Sequence, residues 1–381
     1  MVGTMAKLRE STPGRIATKE RPTLVQPNLR LPEQQREETP KLEKTVPPPE
    51  PALQKVAGEA ASRSPEATDK PQAFSAPIFI KIEKNLASLG FFTPSSKRIK
   101  DVKKKTISFE RTIDDKKVEA RATILPSAEY GLPITADQDK YFALQKIVSD
   151  IRKRQGEVKN PIGFTSAELL RILGKRVTAG KNYEDISEWL KRMTLTGISS
   201  EGTVYFAGKR MWATDTFHVF ERSVSLGTEM PDGRVAEKNY VWLSEWQLEN
   251  INNNYLLPVD LETYRQLKNH IAKTIVPLLQ IWLYTSREQG YFEKSHDELC
   301  QILNISRYKH LSKIQEKLAP SLNELKACGY LSDWKIEKMP DESKGYKVIF
   351  YHGEKFRSEK TLPNGDGTAP VETGRKASGG Q

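Results

Sequence analysis

Apolar residues Tyr141, Leu144, Ile147, Val148 and Ile151 recur at steps of three and four, the spacing of one face of an amphipathic helix from Asp137 to about Gly156. A shorter helix follows Thr165. There Thr165-Ser-Ala-Glu168 forms a capping box, in which the Thr hydroxyl and the Glu carboxylate each satisfy a free backbone N–H. Ile186, Trp189, Leu190 and Met193 mark a third helix over about 182–196, stopped by Gly197. The period then falls to two in GTVYFAG, FHVFERSVSL and KNYVWLSEW, with Pro231-Asp232-Gly233 turning between the last two. Upstream, ISFERTI and KVEARATI predict two more strands.

The same order returns 130 residues later. Thr165-Ser-Ala-Glu-Leu-Leu-Arg-Ile-Leu173 matches Ser295-His-Asp-Glu-Leu-Cys-Gln-Ile-Leu303 in cap, Glu, Leu, Ile and Leu. Each copy is preceded by a long apolar-faced helix, 137–155 in one case and about 260–288 in the other, where HIAKTIVPLLQIWLY is apolar enough for a central core element. Each is followed by a basic turn and a third helix, and these end alike: Leu190, Met193, Gly197, Ile198 and Leu322, Leu325, Gly329, Tyr330. Hairpins follow, the second made by YLSDWKIEK and GYKVIFYH around Asp341–Gly345. Helix, helix, turn, helix, hairpin is the layout of a winged helix. The predicted fold class is therefore α+β: two tandem winged-helix domains, at 137–255 and 256–355, with a basic block carrying short strands at 78–136 that packs on the first.

Composition adds the ends. Residues 1–77 hold twelve of the 23 prolines and Phe74 as their only aromatic, too little apolar surface to offset ordering entropy, so they are expected to form a disordered arm. The tail 356–381 reads the same way. Net charge is +11, of which the arm contributes +2 (twelve cations against ten carboxylates) and the tail +1 (four against three), leaving +8 on 78–355. Such a balance favours a polyanionic partner. No apolar run approaches the ~20 residues that span a bilayer, and the N-terminus lacks a signal-peptide centre, so a soluble cytoplasmic protein is expected. Cys300 and Cys328 show no CxxC spacing, which argues against structural zinc.

In a winged helix the third helix presents its exposed face to the major groove while flanking elements hold the backbone. The candidate DNA contacts in the first unit are Lys175, Arg176 and Lys181 around the turn, Lys191 and Arg192 on the helix, and Lys209 and Arg210 at a hairpin tip. In the second, Ser306, Arg307, Tyr308, Lys309 and His310 open the helix, Lys313 lies further along it, and Lys344 sits in the wing with Lys335, Lys338 and Lys347. Arg reads guanine in a bidentate manner, and Lys, Ser and helix N-termini hold phosphates. The cluster Lys97, Arg98, Lys100, Lys103, Lys104 and Lys105 reads as a solvated loop, with contact to phosphate as the alternative.

Catalytic chemistry is not signalled. The five histidines never form the His-x-His of metal-dependent nicking enzymes, and His296, beside a cap, reads as a surface residue. Gly174 and Gly180-Lys181-Asn182 depart from a P-loop by one residue of spacing and by Asn in place of Ser/Thr. No cofactor, metal or enzymatic activity is expected. Trp189, Trp242, Trp246 and Trp282 fall on apolar faces and read as core.

PITADQDKYFALQKI, GKNYEDISEWLKRM, VWLSEW and LLPVDLETYRQLKNHIAKTIVPLLQIWLY resemble the replication initiator protein A family of bacteria, over roughly Asn85 to Gly353. The resemblance implies a plasmid-type initiator that binds double-stranded origin repeats through tandem winged helices, forms dimers as well as monomers, and helps recruit a host initiator and the replicative helicase. A transcriptional repressor built on the same domains, a protein-interaction scaffold and a single-strand binder remain open as alternatives.

Overall fold

This computed structural model describes residues 79–113, 116–341 and 345–355, with the side chains of 111–113 and 116 left aside. The predicted arm and tail and Lys344 lie outside the described residues. Strand β1 (Phe79–Glu83) and helix α1 (Lys84–Ser88) come first, then β2 (Lys105–Ile113) and β3 (Lys116–Leu125). Helix α2 (Thr135–Gln155), β4 (Ile162–Phe164), α3 (Ser166–Ile172) and α4 (Gly180–Leu195) begin the first repeat. After β5 (Gly197–Phe206) and β6 (Met211–His218) it closes with β7 (Phe220–Val224) and β8 (Asn239–Leu243). A connector follows: α5 (Glu245–Asn252), β9 (Leu256–Asp260) and α6 (Leu261–Gln266). The second repeat is α7 (His270–Thr285), β10 (Tyr291–Ser295), α8 (His296–Leu303), α9 (Leu311–Ala327), β11 (Leu331–Lys338) and β12 (Tyr346–His352).

The two repeats have the same sheet: β4-β8-β7 in one and β10-β12-β11 in the other, antiparallel throughout. Both are winged helices. Their second helices are capped identically, Thr165 Oγ1 accepting from Glu168 N and Ser295 Oγ from Glu298 N, each at 3.1 Å. The apolar faces read from the sequence are buried: Leu144 and Ile147 on α2, Trp189 and Met193 on α4, Leu322 and Leu325 on α9.

Two expectations need correction. The hairpin directly after α4 is not the first wing. β5 and β6 join β2 and β3 in a four-stranded sheet, β2-β3-β5-β6, and the wing is the later hairpin β7–β8. Alternation alone gives a strand its two faces but not its neighbour. Here burial of Ile124, Ile198 and Phe217 side by side across β3, β5 and β6 sets the register. The helix expected over 260–288 is broken at Leu267–Asn269. Glu324 of α9 accepts from Lys268 N (2.6 Å) and Asn269 N (2.9 Å), and Asn269 caps α7 through Ile271 N (2.9 Å), so the break leaves these amides satisfied.

The upstream block touches both repeats. β1 pairs with β9, α1 packs on α7, and Gly90 lies against Ile302 of α8. Helix α2 meets α6 and α7 through Asp139, which accepts from Tyr264 Oη (2.8 Å) and Lys273 Nζ (3.0 Å).

Two buried charges hold the α1 turn. Glu83 accepts from Asn85 N, Leu86 N and Asn250 Nδ2 at 2.9–3.0 Å, yet complete burial outweighs these donors and raises its carboxyl to about 7. Lys105 donates to the Gly90 carbonyl, and burial lowers its ammonium to about 7. Between about pH 7 and its unfolded value the unfolded chain holds a proton on Lys105 that the folded chain does not, so this group's penalty grows as pH falls and is complete below 7. Lys105→Met is therefore expected to raise the urea midpoint at pH 6 by more than at pH 9. An equal change at both would remove the buried ammonium from the account.

Candidate nucleic-acid interface

Each winged helix has a cationic turn before its third helix. In the first, Gly174 leaves α3 with φ +67°, where the Arg265 guanidinium of α6 lies against it, and the chain reverses through Lys175–Ala179. Asn182 fastens this turn by donating its side-chain amide to the Arg176 carbonyl at 2.8 Å. Lys175, Arg176 and Lys181 are exposed, and no carboxylate occurs between Gly174 and Tyr183. In the second, Asn304 ends α8 with φ +54°, and Ser306, Arg307, Tyr308, Lys309 and His310 are all exposed. They form the loop before α9 rather than its first turn, with His310 at the N-cap. Arg307 reaches Asp297 at 3.7 Å, both more than half exposed, a tie that water screens heavily.

The third helices themselves are nearly balanced. The outer face of α4 carries Lys181 and Lys191 against Glu184 and Glu188. That of α9 carries Lys313 and Lys317 against Glu316, which holds Lys313 at 2.7 Å. Positive charge is thus concentrated at the turns.

Arg192 is not among the cations presented to solvent. It is buried at 1% exposure, its Nη1 2.7 Å from Asp137 Oδ1 and its Nε donating to the Tyr130 carbonyl at 3.1 Å. Three residues after Trp189, it falls on the apolar stripe of α4, a signal already present in the spacing. Asp137 also takes Arg98 Nη1 at 2.8 Å, and Arg98 reaches on to Asp185 at 3.5 Å, which pairs with buried Lys140 at 2.8 Å. The cations Lys140, Lys175 and Arg98 together hold the Asp185 carboxyl below its usual value against desolvation, the largest opposing effect. The basic cluster therefore divides: Arg98 and Lys105 are structural, while Lys97, Lys100, Lys103 and Lys104 are exposed.

Lys209 and Arg210 sit in the β5–β6 turn, outside the wing, with Lys209 3.5 Å from Glu245 and over the Phe206 ring. The wings are largely self-neutralised. Arg234 pairs with Asp232 at 2.6 Å in the first, and Lys347 with Glu293 at 2.9 Å in the second.

His296 is buried, not a surface residue. Its Nε2 lies 3.3 Å from Cys300 Sγ, beneath the second turn, where Sγ also faces the Ser306 carbonyl at 3.6 Å. Burial lowers the imidazole's affinity for protons and pushes the thiol up to about 12, the reverse of an activated nucleophile. Among the described residues no group of three or more His, Cys, Asp or Glu is placed to hold a metal, and no helix is long and apolar enough to cross a membrane.

Two winged helices in tandem, each with a carboxylate-free cationic turn ahead of its third helix, make a surface of the kind that meets a polyanion such as duplex DNA. The family model for replication initiator protein A matches residues 81–286, more than half of the chain, and the chain belongs to that family. Among solved structures, domains 2 and 3 of RctB are similar at 14% identity and TM-score 0.39, covering 71% of this chain and 98% of that one. The Pi initiator protein in complex with iteron DNA is similar at 14% and 0.40, covering 58% and 94%. No curated protein matches the chain. The winged-helix assignment rests on this chain's own topology.

Proposed function

We propose that this family member is a non-enzymatic, cytoplasmic initiator that binds repeated duplex sequences at a replication origin, with one winged helix placed on each of two successive groove faces. The observation that carries the reading is the pair of turns at equivalent positions, Lys175–Lys181 and Ser306–Lys313, exposed and free of carboxylates. Such turns meet phosphates at the mouth of the major groove, and Arg176 and Arg307 have the fork that reads guanine edges. Host initiator and replicative helicase are the protein partners of this reading, and a homodimer is its second assembly state.

Selection from a randomised duplex library, followed by titration at several salt concentrations, tests it. The expected product is a site present as direct repeats beside the gene. Affinity should fall with salt at about 0.9 logarithmic units for each phosphate neutralised, or a slope of about −5 for six cations. Equal binding to every duplex with no salt dependence, or tighter binding to single strands, would sink it.

A further inference from the structure

We propose that the loop from Ser95 to Lys104 is a third element of the duplex-binding surface, laying Lys97, Lys100, Lys103 and Lys104 on DNA phosphates beside α4. The inference rests on the DNA-binding reading above and adds to it an element outside both winged helices.

Arg98 fastens the loop to the first winged helix through Asp137 of α2 and Asp185 of α4, at 2.8 and 3.5 Å. The Ile99 carbonyl accepts from Leu132 N at 2.9 Å, and the neighbouring Tyr130 carbonyl accepts from Arg192 of α4 at 3.1 Å. The loop and the 130–132 segment thus brace each other against the flank of α4. Between them and the helix lies a cleft of about 150 Å³ lined by Arg98, Lys100, Glu129, Tyr130, Glu188 and Arg192, so Lys100 stands across it from the exposed side of the helix. Asp185 is one helical turn beyond Lys181, and Lys175 acts on the same carboxyl. The loop cations therefore border one side of the N-terminal half of α4, and the turn cations border its start.

The charge of the loop is only partly compensated, by Asp101 within it and by Glu129 and Glu188, which line the cleft beside Lys100. Its four lysines are exposed, none has an ion pair among the described residues, and Asp101 is the one carboxylate within the loop. The first wing, which in this architecture would hold the backbone beside the third helix, instead has Arg234 tied to Asp232. With Arg222 and Lys238 also counted, this wing sets three cations against Glu221, Glu229, Asp232 and Glu237, so the loop supplies the net positive charge that the wing lacks. Lysine suits such a role, because a compact ammonium on a flexible stem neutralises phosphate without reading sequence.

The test uses the full chain and the duplex selected above, together with an unrelated duplex of equal length. One variant carries Lys97→Ala, Lys100→Ala, Lys103→Ala and Lys104→Ala. A second removes the same charge elsewhere, with Lys117→Ala at the β2–β3 tip and Lys153→Ala, Arg154→Ala and Lys159→Ala at and beyond the far end of α2, about 20 Å from Lys140. The loop variant should lose about 3–4 from the salt slope on both duplexes, bind both at least tenfold more weakly at physiological salt, and keep its preference between them. The second variant should stay close to wild type. A wild-type slope retained by the loop variant, or equal losses in both variants, overturns the proposal while leaving duplex binding in place. Wild-type protein without salt-sensitive duplex binding overturns both readings. Enhanced loss of binding to an acidic protein, with duplex binding unchanged, would assign the loop to that partner instead and also overturns the proposal.

Discussion

Arg192→Ala is expected to lower folding stability by about 3–5 kcal/mol, because it breaks a buried ion pair and leaves its partner charged. Asp137 is fully buried, and its Oδ1 depends on Arg192 at 2.7 Å; its Oδ2 is held by Arg98 at 2.8 Å and by Ile134 N at 2.9 Å. Alanine would also release the Tyr130 carbonyl and open space beside α4, so the loop carrying Arg98 and the 130–132 segment would loosen together. Urea unfolding followed by tryptophan fluorescence reads the loss. The neighbouring Lys191→Ala, exposed on the same helix, should change stability by less than about 0.5 kcal/mol. A variant of Arg192 that unfolds at the wild-type midpoint but binds DNA poorly would return this residue to the phosphate contacts.

Removing the cation pairs of both turns, Lys175→Ala with Arg176→Ala and Arg307→Ala with Lys309→Ala, should have the largest effect on DNA binding. All four side chains are exposed, so the substitutions leave the fold intact. Each cation withdrawn from a phosphate lowers the salt slope by about 1, and an Arg that reads a guanine edge contributes about 1–3 kcal/mol of discrimination. The quadruple variant is therefore expected to lose about 4 in slope and to bind at least a hundredfold more weakly at physiological salt. The arginine substitutions should in addition relax preference at one base pair each. The two pairs made separately show whether both domains engage the same duplex. Unchanged affinity after the Arg307 and Lys309 substitutions would take the second domain out of the DNA interface.

Much of this architecture is local and was legible in the chain. The caps at Thr165 and Ser295 and the three- and four-residue spacing on α2 and α4 depend on residues within a few turns of one another, the structure places a helix at each, and the 130-residue offset is these local signals repeated. Lys175, Arg176, Lys181, Arg307 and Lys309 are exposed because Val177 and Ile305 are the residues that these turns pack on the core, and the charged side chains between them and the helices stay in water. Three features were out of reach. The break at Leu267–Asn269 depends on Glu324, more than fifty residues away. The wing is β7–β8 because β5 finds β3, a pairing that alternation permits without choosing. Lys105 is buried because Gly90 and α8 close over it, although its neighbours Lys103 and Lys104 remain in water.

By itself, then, the sequence determines the main helices and strands of each repeat, that the unit occurs twice, and where positive charge accumulates at the turns. Periodicity, capping and composition are properties of neighbouring residues. Tertiary structure decided which of the remaining cations, Arg98 and Lys105 among them, are taken up by carboxylates or carbonyls of distant segments. Lys191 and Arg192 are adjacent, but consecutive helix residues point about 100° apart; the spacing puts Arg192 on the apolar stripe, and the position of Asp137 on another helix gives the buried guanidinium its partner.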